Sequence, residues 1–156
     1  MKKNKSKASA FKKAVEGTPD IAKAHKNGLQ ALGSYSTKVK LGNTSECSGS
    51  VDLDETTKPK YPQDNRWDYI FCYKKEVFFI EVHSANTGEV STVLRKLQWL
   101  KDWLNTKAPE INKLKCKKIG PYFWVQSNGF HIPAGSPQHR QAVQNGIKPV
   151  ACVNLP

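Results

Sequence analysis

Two adjoining segments, Arg66 to Tyr73 and Glu76 to His83, constrain this chain more than any other feature. In the first, Trp67, Tyr69, Ile70, Phe71 and Tyr73 place apolar side chains at both odd and even positions, and Val77, Phe78, Phe79, Ile80 and Val82 do so in the second. Successive side chains on a strand point to opposite faces. These are therefore central strands buried on both sides, and helices are expected to flank the sheet. If Lys74 and Lys75 form the centre of the hairpin, residues whose numbers sum to 149 stand opposite one another. Asp68 then faces Glu81 and Arg66 faces His83, with Cβ atoms of opposed residues ~5 Å apart.

The rest of the chain arranges itself around that hairpin. A helix begins within Ala10 to Val15. A second is read from Thr18-Pro19-Asp20, with Thr18 as cap, through Ile21, Ala24, Leu29 and Leu32 to a stop at Gly33. A first strand lies within Cys47 to Asp54, and Glu55 to Asn65 reads as a loop. Beyond the hairpin, Asn86 and Glu89 form a capping box for a helix with the stripe Val90, Val93, Leu94, Leu97, Leu100, Leu104. Tyr122 to Gln126 is a strand, and Ser127-Asn128-Gly129 a turn returning it through Phe130 to Ile132. Ser136-Pro137 opens a short helix that Gly146 closes, and Val150 to Leu155 is a last strand. The expectation is one α/β domain over residues 10–156, a central mixed sheet flanked by helices, preceded by a flexible basic arm over residues 1–9.

Charge narrows the partners. Lys and Arg number 25 against 13 Asp and Glu, a formal net charge of +12. Such an excess concentrates polyanions around a protein, nucleic acid above all, although charge also serves solubility alone. Lys2, Lys3, Lys5 and Lys7 in the arm, with Lys12 and Lys13, are the candidate phosphate contacts. No apolar run approaches a membrane span, and no apolar stretch follows the first lysines as a secretory signal requires. Cys47, Cys72, Cys116 and Cys152 lack zinc-site spacing and read as reduced thiols, so the expected location is cytoplasmic.

Two opposed carboxylates repel, so Asp68 and Glu81 require a compensating group. A divalent cation is one candidate, since Mg²⁺ takes one or two carboxylates with waters and a phosphate oxygen. A shared proton is another, and a salt bridge to Arg66 is the ordinary alternative. Arg66-Trp67-Asp68-Tyr69-Ile70, twelve residues between the acids, and Ile80-Glu81-Val82-His83 together resemble the PD-(D/E)XK nuclease pattern. So does the run of three strands, a helix and a strand, over roughly residues 46 to 126. The resemblance implies a restriction-endonuclease-like sandwich and Mg²⁺- or Mn²⁺-dependent phosphodiester hydrolysis, with DNA favoured over RNA. It makes Asp68 and Glu81 the metal ligands, with the Val82 carbonyl as a further one. His83 stands where the family has lysine. A neutral imidazole can take a proton from water near pH 7, and can ligate a softer metal such as Mn²⁺, but carries no constant charge.

Four further residues are candidates. Asp52 or Asp54, taken to share one face of the neighbouring strand, would be a third acid. Lys96 is the best substitute for the missing lysine, although a helix starting at Asn86 puts it nearly three turns away. Gln98 is weaker. Trp99 and Trp103, four apart on that helix, are either a stacking ladder for bases or a core edge. Two rival functions stand beside the nuclease: a catalytically inactive nucleic-acid-binding domain of the same fold, and a basic protein-interaction domain.

Overall fold

A computed structural model describes residues 8–156. The expected contacts of Lys2, Lys3, Lys5 and Lys7 lie outside the described residues. Helix α1 spans Ala10–Glu16, capped by the Ser9 hydroxyl, which accepts from the Lys12 N–H at 3.0 Å. It turns Phe11, Ala14 and Val15 inward, leaving Lys12 and Lys13 exposed. Strands β1 (Val39–Leu41), β2 (Cys47–Asp52), β3 (Tyr69–Tyr73), β4 (Glu76–Asn86), β5 (Tyr122–His131) and β6 (Val153–Leu155) are joined by α2 (Leu53–Thr57), α3 (Val90–Thr106), α4 (Pro109–Leu114) and α5 (Pro137–Gln144).

The main sheet runs in the order β2-β3-β4-β5, antiparallel for the first three strands and parallel between β4 and β5. The protein is thus of mixed α/β class with a mixed central sheet. Tyr69 pairs with Ile80 and Ile70 with Phe79, as the sum of 149 requires. Lys74 (φ 49°) and Lys75 (φ 70°) are both left-handed, which is the two-residue turn that matches strand twist.

The two faces of the sheet are covered differently. Val51, Ile70, Cys72, Val77 and Phe79 pack with α1, α3 and α4 in one core cluster. Phe71, Tyr73, Phe78 and Ile80 pack on the other side with Leu32, Val39, Val153 and Leu155. Helices therefore flank one face only. The opposite face is covered by a 3-10 segment, Gln30–Lys38, and a small parallel sheet of β1 with β6.

Four expected elements differ. Helix α2, Leu53–Thr57, takes the end of the first strand, expected as far as Asp54, and the start of the loop expected from Glu55. The helix from Thr18 to Leu32 does not form. Only a 3-10 turn follows, Pro19–Ile21, and Gly28 adopts a left-handed φ of 50° that a helix interior does not accept. The Thr18 hydroxyl donates to the Ala14 carbonyl at 2.7 Å instead of capping. Strand β5 does not turn back at Ser127-Asn128-Gly129. It continues to His131 alongside β4, with the turn residues absorbed as a bulge between the pairs His83–Gln126 and Ala85–Phe130. Asn86 caps nothing. It ends β4, and a 3-10 turn, Thr87–Glu89, precedes α3. Among the described residues no helix is long and apolar enough to cross a membrane.

Candidate active site

The β3–β4 ladder ends at Tyr69 and Ile80, and the next pair is Asp68 and Glu81. There the side chains replace the ladder. The Asp68 N–H donates to Glu81 Oε1 at 3.1 Å, and the Val82 N–H donates to Asp68 Oδ2 at 2.9 Å. Each carboxylate is thereby fixed by the backbone of the other strand. One oxygen of each, Asp68 Oδ1 and Glu81 Oε2, remains for other partners.

Both meet Lys96. Its ammonium lies 3.8 Å from Asp68 Oδ1 and closer still to Glu81 Oε2. The compensating charge between the acids is therefore Lys96 and not Arg66. Arg66 turns the other way, donating from Nε to Asp54 Oδ1 at 2.8 Å and from Nη1 to the Tyr61 carbonyl at 2.6 Å. Lys96 reaches the acids because β4 runs five residues past Glu81 before α3 begins at Val90. That is about 16 Å of strand at ~3.3 Å per residue. The helix returns over six residues, about 9 Å at ~1.5 Å each, and the long side chain spans the remainder. A helix starting at Asn86 would have carried Lys96 too far; the later start brings it into register.

Glu81 is fully buried, and the side chains of Asp68 and Lys96 are 20% and 17% exposed. Burial, then the Glu81 charge, push the Asp68 carboxyl up to about 7, with Lys96 opposing. Burial works against the charged form of Lys96, but Glu81 and Asp68 outweigh it and raise its pKa. The cluster is a partly shared set of charges that demands a cation.

His83 lies on the same strand face as Glu81, with Nδ1 3.4 Å from Glu81 Oε2. Its Nε2 is 2.5 Å from Glu89 Oε1. Hydrogen bonding to Glu81 raises the imidazole pKa, burial works against this, and the bond to Glu89 adds to it. Both ring nitrogens thus face carboxylates. In this arrangement the two carboxylates strengthen the imidazole's hold on its proton, and each ring nitrogen already has a partner. The sequence places Glu89 in a capping box and so carries no signal of this contact. The spacing of six residues from His83 gives no periodic signal across a strand and a 3-10 turn.

The other candidates separate. Asp52 is opposite Tyr69 in register, on the face away from Asp68, and its Oδ1 accepts from the Glu55 N–H at 3.0 Å to cap α2; burial raises its pKa. Asp54 is on α2 rather than the strand. Its N–H donates to the Asp68 carbonyl at 3.3 Å, so it neighbours the site while its carboxylate is engaged by Arg66. Gln98 is exposed and donates to Asp102 at 2.9 Å, away from the acids. Val82 is adjacent through its N–H bond to Asp68.

Among the described residues no group of three or more His, Cys, Asp and Glu side chains is placed to hold a metal. The donor set is two carboxylate oxygens converging on one cation position. Such a set fits Mg²⁺, which is content with one or two carboxylates completed by waters and phosphate, and does not fit a four-ligand zinc site. No family model, curated protein or solved structure matches the chain.

Proposed function

We propose that this protein is a metal-dependent phosphodiesterase acting on nucleic acid, built on a restriction-endonuclease-like core. The observation that carries the reading is the convergence of Asp68 Oδ1, Glu81 Oε2 and the Lys96 ammonium at the open end of the central hairpin. The order α1, three antiparallel strands, α3 and a parallel β5 agrees with it. So does the net charge of +12, which favours a polyanionic substrate.

Asp68 and Glu81 would hold Mg²⁺ or Mn²⁺. A bound divalent ion supplies Lewis acidity toward a phosphoryl oxygen and lowers the pKa of water. Lys96 would take the role of the family lysine from a helix instead of the strand: displaced by the ion from Asp68 Oδ1 and Glu81 Oε2, its ammonium would be offered to a phosphate oxygen. His83, clamped by Glu81 and Glu89, would add a second positive charge when protonated. In the reaction, a water oxygen would bond to phosphorus and release a proton to solvent, the ester P–O bond would break, and the leaving alkoxide would take up a proton, so that none is gained or lost overall. The protein positions the phosphate and stabilises its developing charge.

A second reading has its own observation. Lys96 already neutralises the acids internally, and both His83 nitrogens are engaged, which is the state expected of a binding domain that keeps the fold without catalysis. Incubating the protein with DNA and RNA in Mg²⁺ or Mn²⁺ separates the two. Cleavage that disappears in Glu81→Gln supports the enzyme. Salt-sensitive binding without cleavage under any condition supports the binding domain.

A further inference from the structure

Along α3, past Lys96, lies a shallow open concavity of about 410 Å³, between the loop carrying Gln63, Asp64 and Asn65 and the helix face carrying Arg95, Gln98, Trp99 and Asp102. These two segments also supply the site. The loop leads directly into Arg66 and Asp68, and α3 carries Lys96, three residues from Trp99. Residues so spaced on a helix have Cβ atoms ~5–6 Å apart. A group bound at Trp99 is thus a close neighbour of one held at Lys96.

The aromatic wall is rigid. Trp99 stacks on Trp103 with centroids 6.0 Å apart and planes 9° from parallel, and Tyr61 meets it in a T-shaped contact at 5.9 Å. The indole N–H donates to Asp64 Oδ2 at 2.9 Å, and Arg66 ties down the loop through the Tyr61 carbonyl. Trp67, Trp103 and Trp124 are buried, whereas Trp99 is only partly so. Around it stand amides that both donate and accept, and carboxylates with a lone pair to spare: Asp64 holds Trp99, and Asp102 holds Gln98. An aromatic side chain bordered by hydrogen-bonding groups suits a nucleobase, whose face stacks and whose edge is read.

We infer that this concavity is a nucleobase subsite, which takes an unpaired base of the same strand whose phosphate is handled at Asp68 and Glu81. The carboxylates favour bases bearing an exocyclic amino group, adenine, cytosine or guanine, over thymine. This inference rests on the nucleic-acid reading of the acid pair but not on catalysis.

Tryptophan emission tests it, because Trp99 is partly exposed whereas Trp67, Trp103 and Trp124 are buried. Single-stranded (dA)12 and (dC)12 in metal-free buffer at fixed salt should quench emission saturably, with (dT)12 and a duplex of the same length quenching less. By anisotropy of the labelled oligonucleotides, Trp99→Ala should weaken single-strand binding about fivefold or more. Trp99→Phe should recover most of it. Because Trp99 also packs against the core, Asp102→Asn provides an exposed control that should reduce the preference for (dA)12 over (dT)12, since it replaces an accepting carboxylate by an amide that also donates. Oligonucleotides that bind by anisotropy without quenching, or with equal affinity for Trp99→Ala, would overturn the subsite, as would failure of every oligonucleotide to bind. Quenching without cleavage in Mg²⁺ or Mn²⁺ would sink the enzymatic reading and leave the subsite standing. Cleavage without quenching would do the reverse.

Discussion

The central hairpin has two ends built on opposite terms. At the closed end, Lys74 and Lys75 accept left-handed backbone, and Lys74 reaches the Pro156 carbonyl at 3.1 Å in the open. Every charge there is solvated, and the cost is conformational. At the other end the backbone is ordinary, but two acids, a lysine and a histidine are packed where Glu81 has no exposure at all. The cost there is electrostatic, and only mutual pairing offsets it. A strained turn can be relieved by changing residues; a buried charge cluster can be relieved only by altering the site.

The largest expected effect breaks the second end. Lys96→Met leaves Asp68 and Glu81 without their cation. Removing one partner of a buried pair costs about 3–5 kcal/mol, so urea unfolding should show a loss of that order. Saturating Mg²⁺ or Mn²⁺ should restore part of it, since the ion would take the lysine's place. A variant as stable as the parent would mean that the acids do not depend on Lys96.

The next concerns pH. The Asp68 carboxyl is pushed up to about 7 in the folded protein from an ordinary 3.8. A raised pKa means that the folded state binds the proton more tightly, so this stabilisation is full below about pH 4 and lost as pH rises through 7. His83, also raised, contributes in the same direction, from 6.5 upward. Metal-free unfolding curves should thus show stability falling between about pH 4 and 7 from the site, a slope that Asp68→Asn flattens.

At the closed end the change is smaller and of opposite sign. Replacing Lys74-Lys75 by Asn-Gly should stabilise the protein by about 1 kcal/mol, because those residues accept left-handed φ readily. Cleavage and binding should be unchanged. The smallest effect is expected at Glu89, whose side chain is 37% exposed. Glu89→Gln should leave folding nearly untouched while lowering the His83 midpoint seen by NMR titration. An unmoved midpoint would show that Glu81 alone sets it.

The hairpin was legible because its apolar residues occupy both faces and its turn has two residues, so the register that opposes Asp68 to Glu81 follows by counting. The stripe on α3 was legible for the same reason of period. What failed was punctuation. Thr18-Pro19-Asp20 carries the local chemistry of a helix start, but the following segment lies along β2 instead. The Lys26 backbone bridges Ser50 there, and the His25 ring lies against Gly49 so closely that a Cβ would meet it at 2.2 Å. That contact is long-range and leaves no local trace. Ser127-Asn128-Gly129 has turn chemistry as well, but pairing to β4 on both sides of it converts the turn to a bulge. The site was partly legible: the acids and His83 come from strand counting and Lys96 stands as the substitute lysine, but whether Lys96 reaches the acids, like the contact of Glu89, depends on where β4 stops.

That bulge has a bearing on how the protein avoids its own copies. Strand β5 is the outermost of the main sheet, and a long flat edge offers unpaired N–H and C=O groups to any other strand. Here the edge is interrupted. Gly129 at φ 98° kinks it, and its N–H is taken by the Gln126 side chain. Nearer the start of the strand, Gln126 N–H and Trp124 C=O are taken by Val150. The residues that misread as a hairpin therefore act as protection against edge-to-edge aggregation. Deleting Ser127 and Asn128 to straighten β5 would lengthen the regular edge and expose the protein to sheet-to-sheet association.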